Sequence, residues 1–437
     1  MPKDRPSLPA AQTPVELDGT RIQAASKSAA GLKAVQSSLA VGFKEMGVAR
    51  TASMLLKINQ KKGFDCQSCA WPNPDEHRHM AEFCENGVKA VTDEATRTLI
   101  TADFFRQNSV TELAAKSDYW LGKQGRLTEP MCLRPGATHY EPIAWEDAFA
   151  LIGAELKQLS SPNQASFYTS GRTSNEAAFL YQLFVRTFGT NNLPDCSNMC
   201  HESSGSALNP TIGIGKGCVT LADFDKADAI FVVGQNPGTN HPRMLSALQS
   251  AKRRGCKIVS INPLPEVGTH RFKNPQDLKN PLHAGEVLFG QGTAIADLWL
   301  PVRINGDMAV FQGMMKEMLA EEDRQPGKIF DQSFVSEHTH GYQELIAYLR
   351  WVSWDEIEAS SGLSRAQIRA AADIAMSAKA IIACWAMGLT QQKQAVATIQ
   401  EVINFLLLGG QYRPARRGAV SGARPQQCPG RPDHGHL

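Results

Sequence analysis

The sequence predicts an α/β fold built around a parallel, doubly wound sheet, and three observations carry that reading. Ala229-Ile230-Phe231-Val232-Val233 is an unbroken apolar run, as a strand buried on both faces should be. A tight turn over 234–238 leads to a helical stretch that opens at Pro242 and stops at Gly255, with proline in the first turn and glycine past the end. Cys256-Lys257-Ile258-Val259-Ser260-Ile261 is the next strand, and the strand–helix–strand order makes the two strands parallel. A similar run recurs at Ile381-Ile382-Ala383-Cys384-Trp385.

Residues 1–55 are rich in Ala, Ser, Lys and Pro with weak periodicity, which predicts a mobile arm with one helix over 30–44. Residues 56–125 form a cysteine-rich lobe holding Cys66, Cys69 and Cys84, with helices over 80–85 and 92–105. From residue 126 the α/β pattern sets in. It gives a helix over 148–159, a short buried strand over 165–168, and an amphipathic helix over 175–188 with Phe179, Leu183 and Phe184 on one side. At 437 residues the chain has room for two or three domains, each with its own core.

Composition excludes several functions. A hydrophobic content of 42% and a charged content of 20% are ordinary for a globular protein. A net charge of +2 is too small for binding to nucleic acid or an anionic membrane to be the main task. No run of about 18 apolar residues occurs, so no membrane insertion is expected. Residues 1–60 show neither an apolar signal core nor a twin-arginine pair, so the expected location is cytoplasmic. In a reducing compartment the ten cysteines point to metal ligation, catalysis or packing rather than disulfides.

Three motifs could carry chemistry. Ligands of doubly wound sheets sit beyond the carboxyl ends of the strands. There Gly234 lets backbone approach a ligand, the following helix N-terminus attracts phosphate, and Asn236 and His241 could hydrogen-bond a nucleotide. The turn is not G-x-G-x-x-G, so a standard NAD site is not indicated, and a ligand-free turn is the plainer alternative. Cys66-Gln67-Ser68-Cys69 puts two thiolates on one turn, able with Cys84 to hold zinc or an iron–sulfur cluster. The alternative there is two surface thiols and a buried one. Cys196-Ser197-Asn198-Met199-Cys200-His201 sets a thiol beside an imidazole, as a nucleophile, a soft-metal ligand or a structural pair. Cys132, Cys218, Cys256 and Cys384 suit packing.

Taken together, these segments resemble the molybdopterin oxidoreductases, closest to the formate dehydrogenase-like catalytic subunits, over about residues 56–410. Gly171-Arg172-Thr173-Ser174-Asn175-Glu176 resembles the family's segment before its active-site loop. Asn191-Asn192-Leu193-Pro194-Asp195-Cys196-Ser197-Asn198-Met199-Cys200-His201 is similar, without gaps, to the loop carrying the molybdenum ligand. The resemblance maps that ligand onto Cys200 and the histidine after it onto His201. Gly234-Gln235-Asn236-Pro237 with His241-Pro242 is similar to the family's G-x-N-P…H-P pterin-nucleotide loop. Gly306-Asp307 and Gly388-Leu389-Thr390-Gln391 resemble further cofactor-contacting turns.

This likeness implies molybdenum (or tungsten) held by two molybdopterin guanine dinucleotides. Their contacts would be Arg172, Thr173, Ser174, Gly234, Asn236, Pro237, His241, Asn262, Gly306, Asp307, Gly388, Thr390 and Gln391. Cys200 would ligate the metal and His201 would act as base. Two electrons would pass between a small substrate, formate or a similar anion, and a [4Fe-4S] cluster on Cys66, Cys69 and Cys84, with Lys89 between cluster and pterin. An electron-transfer partner subunit is implied as the outlet. The sequence departs from the family in three ways. The lobe has three cluster cysteines rather than four, Asn198 stands where formate enzymes tend to carry arginine, and Gln392 stands where histidine often follows Thr-Gln. The alternative from another class is a catalytically silent nucleotide- or zinc-binding protein.

The implied fold is that of the formate dehydrogenase/DMSO reductase-like N-terminal domains. Residues 126–199 and 380–410 would form the pterin-binding domain, interrupted by a second α/β domain over 200–379, with the C-terminal barrel domain missing. Residues 411–437, dominated by Arg, Pro and Gly, predict a non-homologous tail. One extra nucleotide near codon 411 would produce it, since a shifted frame gives a string resembling what the family places after Leu-Leu-Gly-Gly. A chain shortened in this way is expected to expose apolar surface that its missing part covers.

Overall fold

The computed structural model describes residues 26–69, 71–74, 78–171 and 173–412. The helix expected over 30–44 is present, followed by a second, and the two are packed rather than part of a mobile arm. Helix α1 (Gly31–Met46) packs on α2 (Val48–Leu55) and on α3 (Glu85–Ala95) of the cysteine lobe. The buried positions of α1 are Gly31, Ser38, Gly42 and Met46. Apart from Met46 these are small or polar and give no apolar periodicity, so the sequence hides the contact. A Cβ on Gly42 would lie 2.6 Å from Thr51 Cγ2, which is why glycine stands there. Residues 1–25 and the tail from 413 lie outside the described residues.

The lobe also departs from expectation. No helix covers 80–84; it begins at Glu85, where the Cys84 thiol caps it by accepting the Gly87 N–H at 3.4 Å. That helix stops at Ala95, and a separate one covers Ala102–Gln107. The helices expected over 148–159 and 175–188 are α4 (Trp145–Lys157) and α5 (Asn175–Phe188). Residues 165–168 are not a strand. Phe167 N–H donates to Asn192 O at 2.9 Å and Thr169 bridges to Asp195, because the facing chain is a loop.

Beyond the short α6 (Cys196–Cys200) and α7 (Glu202–Ile212) comes the α/β unit. It runs β1 (Ala229–Val233), α8 (Met244–Arg253), β2 (Lys257–Ile261), β3 (Leu298–Leu300), α9 (Asp307–Arg324), β4 (Ile381–Trp385), α10 (Met387–Thr390) and α11 (Ala395–Leu408). The sheet order is β3-β2-β1-β4, every pair parallel, with Ala229 in register with Lys257 on one side and Ile381 on the other. Alternate side chains of β1 enter two cores, as the pleat requires. Ala229, Phe231 and Val233 face α7, α9 and α11, while Ile230 and Val232 meet Leu245 and Leu248 of α8. The Phe231 ring lies 5.4 Å from Phe405, which lies 5.5 Å from Phe311, both edge-on. The doubly wound α/β fold is therefore as expected.

The expected domain division is corrected here. β4 pairs with β1 along its whole length, and α11 packs on α7 and α9. Residues 380–410 thus share sheet and core with residues 200–379 rather than forming a unit with 126–199. Asp228 fixes the junction, its Oδ2 accepting the Lys379 and Ala380 N–H groups at 3.0 Å each. Strands buried on both faces are plain apolar runs with nothing to name their neighbours, so the pairing was hidden. Among the described residues no helix is long and apolar enough to cross a membrane.

Candidate functional site

The chain leaves β1 at Gly234 and β4 just before Gly388, and the two glycines touch. Gly234 has φ +55°, donates its N–H to Ile261 O at 2.9 Å and accepts the Gly388 N–H at 3.0 Å. A Cβ on Gly388 would lie 2.5 Å from Gly234 Cα, and one on Gly234 2.8 Å from Gly388 Cα. A second glycine pair follows: a Cβ on Gly268 would lie 2.6 Å from Gly238 Cα. The strand ends are thereby closed to side chains.

Polar side chains stiffen this edge. Asn236 caps the short helix Pro237–Asn240 by accepting the Thr239 N–H, and its Nδ2 donates to Glu266 at 2.6 Å. Asn262 Nδ2 donates to Gln235 O at 3.2 Å, and Trp299 Nε1 donates to Asn262 O at 2.9 Å. Gln235 is buried, with its Nε2 3.4 Å from His241 Nδ1 and 3.3 Å from Met244 Sδ. Its Oε1 is buried without a hydrogen-bond partner among the described residues, as is Gln392 Oε1. Such acceptors call for a donor.

Cys200 ends α6 and His201 precedes α7. Two hydrogen bonds pin α7 to the turn after β4: Ser203 Oγ donates to Thr390 O at 2.9 Å, and Trp385 Nε1 donates to Ser204 Oγ at 3.0 Å. The helix that follows Cys200 and His201 is therefore held beside the turn that carries Gly388. Cys200 is half-buried and His201 buried. Burial, then neighbouring Cys196, pushes the Cys200 thiol above its usual pKa.

Gln392 joins the third turn to the first two. Its Nε2 donates to Asp307 Oδ2 at 3.1 Å and also to Gly388 O. Gly306 is glycine for packing, since a Cβ there would lie 2.6 Å from Ser360 O. Thr173 accepts from Thr169 Oγ1 at 3.2 Å and Ser174 caps α5, beside the loop that leads to Cys200 through the Thr169–Asp195 bridge. Arg172 lies outside the described residues. Gln391 is exposed. Sequence reasoning missed Ser203, Trp385, Gln235 and the bridging role of Gln392. Gln392 could be flagged only as a departure from the family.

Two buried titratable groups here have opposite pH signatures. Burial raises the Asp307 carboxyl to about 6 and lowers the His241 imidazole to about 4. Asp307 is 2% exposed and His241 5%, so each shift corresponds to about 3 kcal/mol. For Asp307 the penalty is absent below its unfolded value near 4 and complete above about 6, so stability falls as pH rises. For His241 the stability is complete above about 6.5 and lost as pH falls toward about 4. Asp307→Asn is therefore expected to gain up to about 3 kcal/mol near pH 8 and almost nothing near pH 4 in urea unfolding. His241→Gln should flatten the acid limb instead. A gain for Asp307→Asn at low pH only would refute the assignment.

In the lobe, Cys66 and Cys84 meet at the start of α3, with Cys69 near enough to act on Cys84 electrostatically. A Cβ on Gly87 would lie 2.9 Å from Cys66 Sγ and 3.7 Å from Cys84 Sγ. Burial pushes the Cys84 thiol up to about 11, with Cys69 and Cys66 adding to the rise. Ser68 N–H donates to Cys66 Sγ at 3.3 Å. The lobe docks on the site through the buried Arg243–Glu82 ion pair (3.1 Å), Arg243 to Asn73 (2.8 Å) and Asn86 to Thr239 O. Lys89 pairs with Glu85 at 2.7 Å and is half-exposed.

The implied cofactors fit unequally. Touching glycines, two orphaned buried acceptors and a reachable soft thiol suit a large polar cofactor with a metal, such as a molybdenum–pterin. The lobe has the right donor type for iron–sulfur, but among the described residues no group of three or more His, Cys, Asp or Glu could hold a metal ion.

A family model described as molybdopterin oxidoreductase matches residues 126–421, past residue 410 where the resemblance is expected to stop. The chain is 53% identical over 384 residues to the uncharacterized oxidoreductase Rv2900c of Mycobacterium tuberculosis, which is 88% of this chain and 48% of that protein. It is 28% identical over 290 residues to formate dehydrogenase H of Escherichia coli, 65% of this chain and 36% of that one. The chain thus spans about half the length of Rv2900c, and about half that of the protein YdeP of Escherichia coli, to which it is 43% identical over 394 residues. Acetylene hydratase from Pelobacter acetylenicus shares the fold, with a TM-score of 0.51 at 20% identity over 63% of this chain and 34% of that chain.

Proposed function

The chain belongs to the molybdopterin oxidoreductase family, on its formate dehydrogenase-like side, and on that premise we propose that it is part of an enzyme moving two electrons to or from a small anion, formate or a close relative. One juxtaposition supports this reading. The Ser203–Thr390 and Trp385–Ser204 hydrogen bonds hold the helix that follows Cys200 and His201 beside β4 and the turn that carries Gly388, which itself touches Gly234.

Bound at this edge, the molybdenum–pterin group supplies the redox step. The chain's residues do the rest. Cys200 provides a soft thiolate ligand. His201 receives the substrate's proton on its imidazole. Arg172, Thr173, Ser174, Gly234, Asn236, Pro237, His241, Asn262, Gly306, Asp307, Gly388, Thr390 and Gln391 hold the cofactor, in its double guanine dinucleotide form. Gln235 and Gln392 add acceptors for its ring N–H groups. A [4Fe-4S] cluster on Cys66, Cys69 and Cys84, a partner subunit as electron outlet and a cytoplasmic setting complete the proposal.

Purified from a molybdopterin-producing host, the protein is expected to carry molybdenum, pterin and iron. Cys84→Ser is expected to lose the iron and its visible absorption while keeping molybdenum. Zinc as the sole metal of a colourless protein would instead identify a silent metal-binding protein.

A further inference from the structure

The turn that carries Cys200 and His201 is clasped by a side chain outside the set assigned to metal, proton or cofactor. Helix α6 has five residues, too short to stand on its own backbone hydrogen bonds. His201 follows it with φ −134° and ψ 14°, outside the helical range, so α6 and α7 break at this residue. The angle at that break sets where the imidazole lies relative to the thiol.

Asn198 spans the break. On the near side it closes a reciprocal pair with Asp195. Asp195 N–H donates to Asn198 Oδ1 at 3.1 Å, and Asn198 N–H donates to Asp195 Oδ1 at 3.3 Å. This is a capping box in which asparagine takes the place usually held by glutamate or glutamine at the third helical position. On the far side Asn198 Nδ2 donates to Glu202 Oε2 at 3.1 Å. Glu202 is the first residue of α7, where a carboxylate suits the helix dipole. Both anchors are themselves fixed. Asp195 is buried and bridges to Thr169, while α7 is tied to β4 and the turn after it through Ser204 and Ser203. Cys200 and His201 lie between the two anchors in the chain.

We propose that Asn198 is a positioning residue, whose two carboxamide hydrogen bonds set the angle between α6 and α7 and so the relative placement of Cys200 and His201. The carboxamide is engaged by the chain at both ends, so it acts on the chemistry through those two residues and not by touching the substrate. Its effect on turnover rests on the redox reading; its effect on the turn does not.

Asn198→Ala removes both side-chain bonds. In the purified chain the amides over 195–202 are expected to exchange about tenfold faster, with those of β1 and β4 unchanged. In the assembled, molybdenum-loaded enzyme, kcat for formate with an artificial acceptor should fall about tenfold while KM stays within about twofold, as for a group one step behind a metal ligand. Asn198→Asp sets a second carboxylate against Glu202 and should also lower kcat. Combined with Glu202→Gln, it reverses donor and acceptor in the same bond, and exchange and kcat should both return to within about twofold of the parent. Exchange unaltered by Asn198→Ala would overturn the proposal. So would a raised KM at unchanged kcat, which would put this side chain on the substrate, or a double variant no better than Asn198→Asp alone. A parent that binds no molybdenum would sink the redox reading instead, and the exchange and rescue comparisons in the purified chain would then decide the clasp by themselves.

Discussion

Gly388→Val is expected to empty the cofactor site while leaving the sheet folded. Its Cβ would lie 2.5 Å from both Gly234 Cα and Gly234 O. The obstacle is backbone, not a side chain that can swing away. Gly234 cannot yield easily, being held through its N–H by Ile261 and through its carbonyl by Gly388. The sheet pairs β4 with β1 up to Trp385 and Val233, so strain falls on the turn over 387–390. Overpacking of this kind costs about 3 kcal/mol at its upper end, enough to displace a turn but not to unfold a domain of this size. Displacement would also break the Gln392–Gly388 and Ser203–Thr390 links that hold Asp307 and α7 in place. Molybdenum per chain should fall at least about tenfold, against unchanged far-UV dichroism. Full metal content in this variant would mean that the two turns do not form the cradle.

Cys200→Ala should have the larger effect on turnover and the smaller effect on folding. The side chain is half-buried at the end of a five-residue helix, so its loss removes little packing. Stability should change by less than about 1 kcal/mol. Removing a partner behind a metal ligand costs roughly 10–100-fold, and removing the ligand itself should exceed that. Formate oxidation with an artificial acceptor should therefore drop by more than about 100-fold in the assembled enzyme. Activity within a few-fold of the parent would exclude a ligand role for this thiol.

The strands and the first turn were legible because their physics is local. A strand buried on both faces must be a continuous apolar run, and a tight turn at its end needs the freedom that Gly234 uses at φ +55°. The helices over 145–157 and 175–188 announced themselves by periodicity. What was hidden depends on chain segments far apart. Gly388 meets Gly234, Ser203 meets Thr390, and Gln392 meets Asp307, pairs that no spacing rule connects. The reason for Gly306 lies in Ser360 O. Helix α1 falls where it was expected, but its docking was hidden because mostly small or polar residues bury it. Cys84 shows the same limit on a short scale. Its thiol caps α3, so the helix starts one turn later than the surrounding apolar pattern suggests.

The most direct test of the central claim is X-ray absorption at the molybdenum edge, comparing the loaded enzyme with its Cys200→Ser variant. If the thiol at the Gly234–Gly388 edge is the protein's ligand, the variant's metal loses a sulfur neighbour and gains an oxygen. Superimposable spectra from the two proteins would contradict that placement.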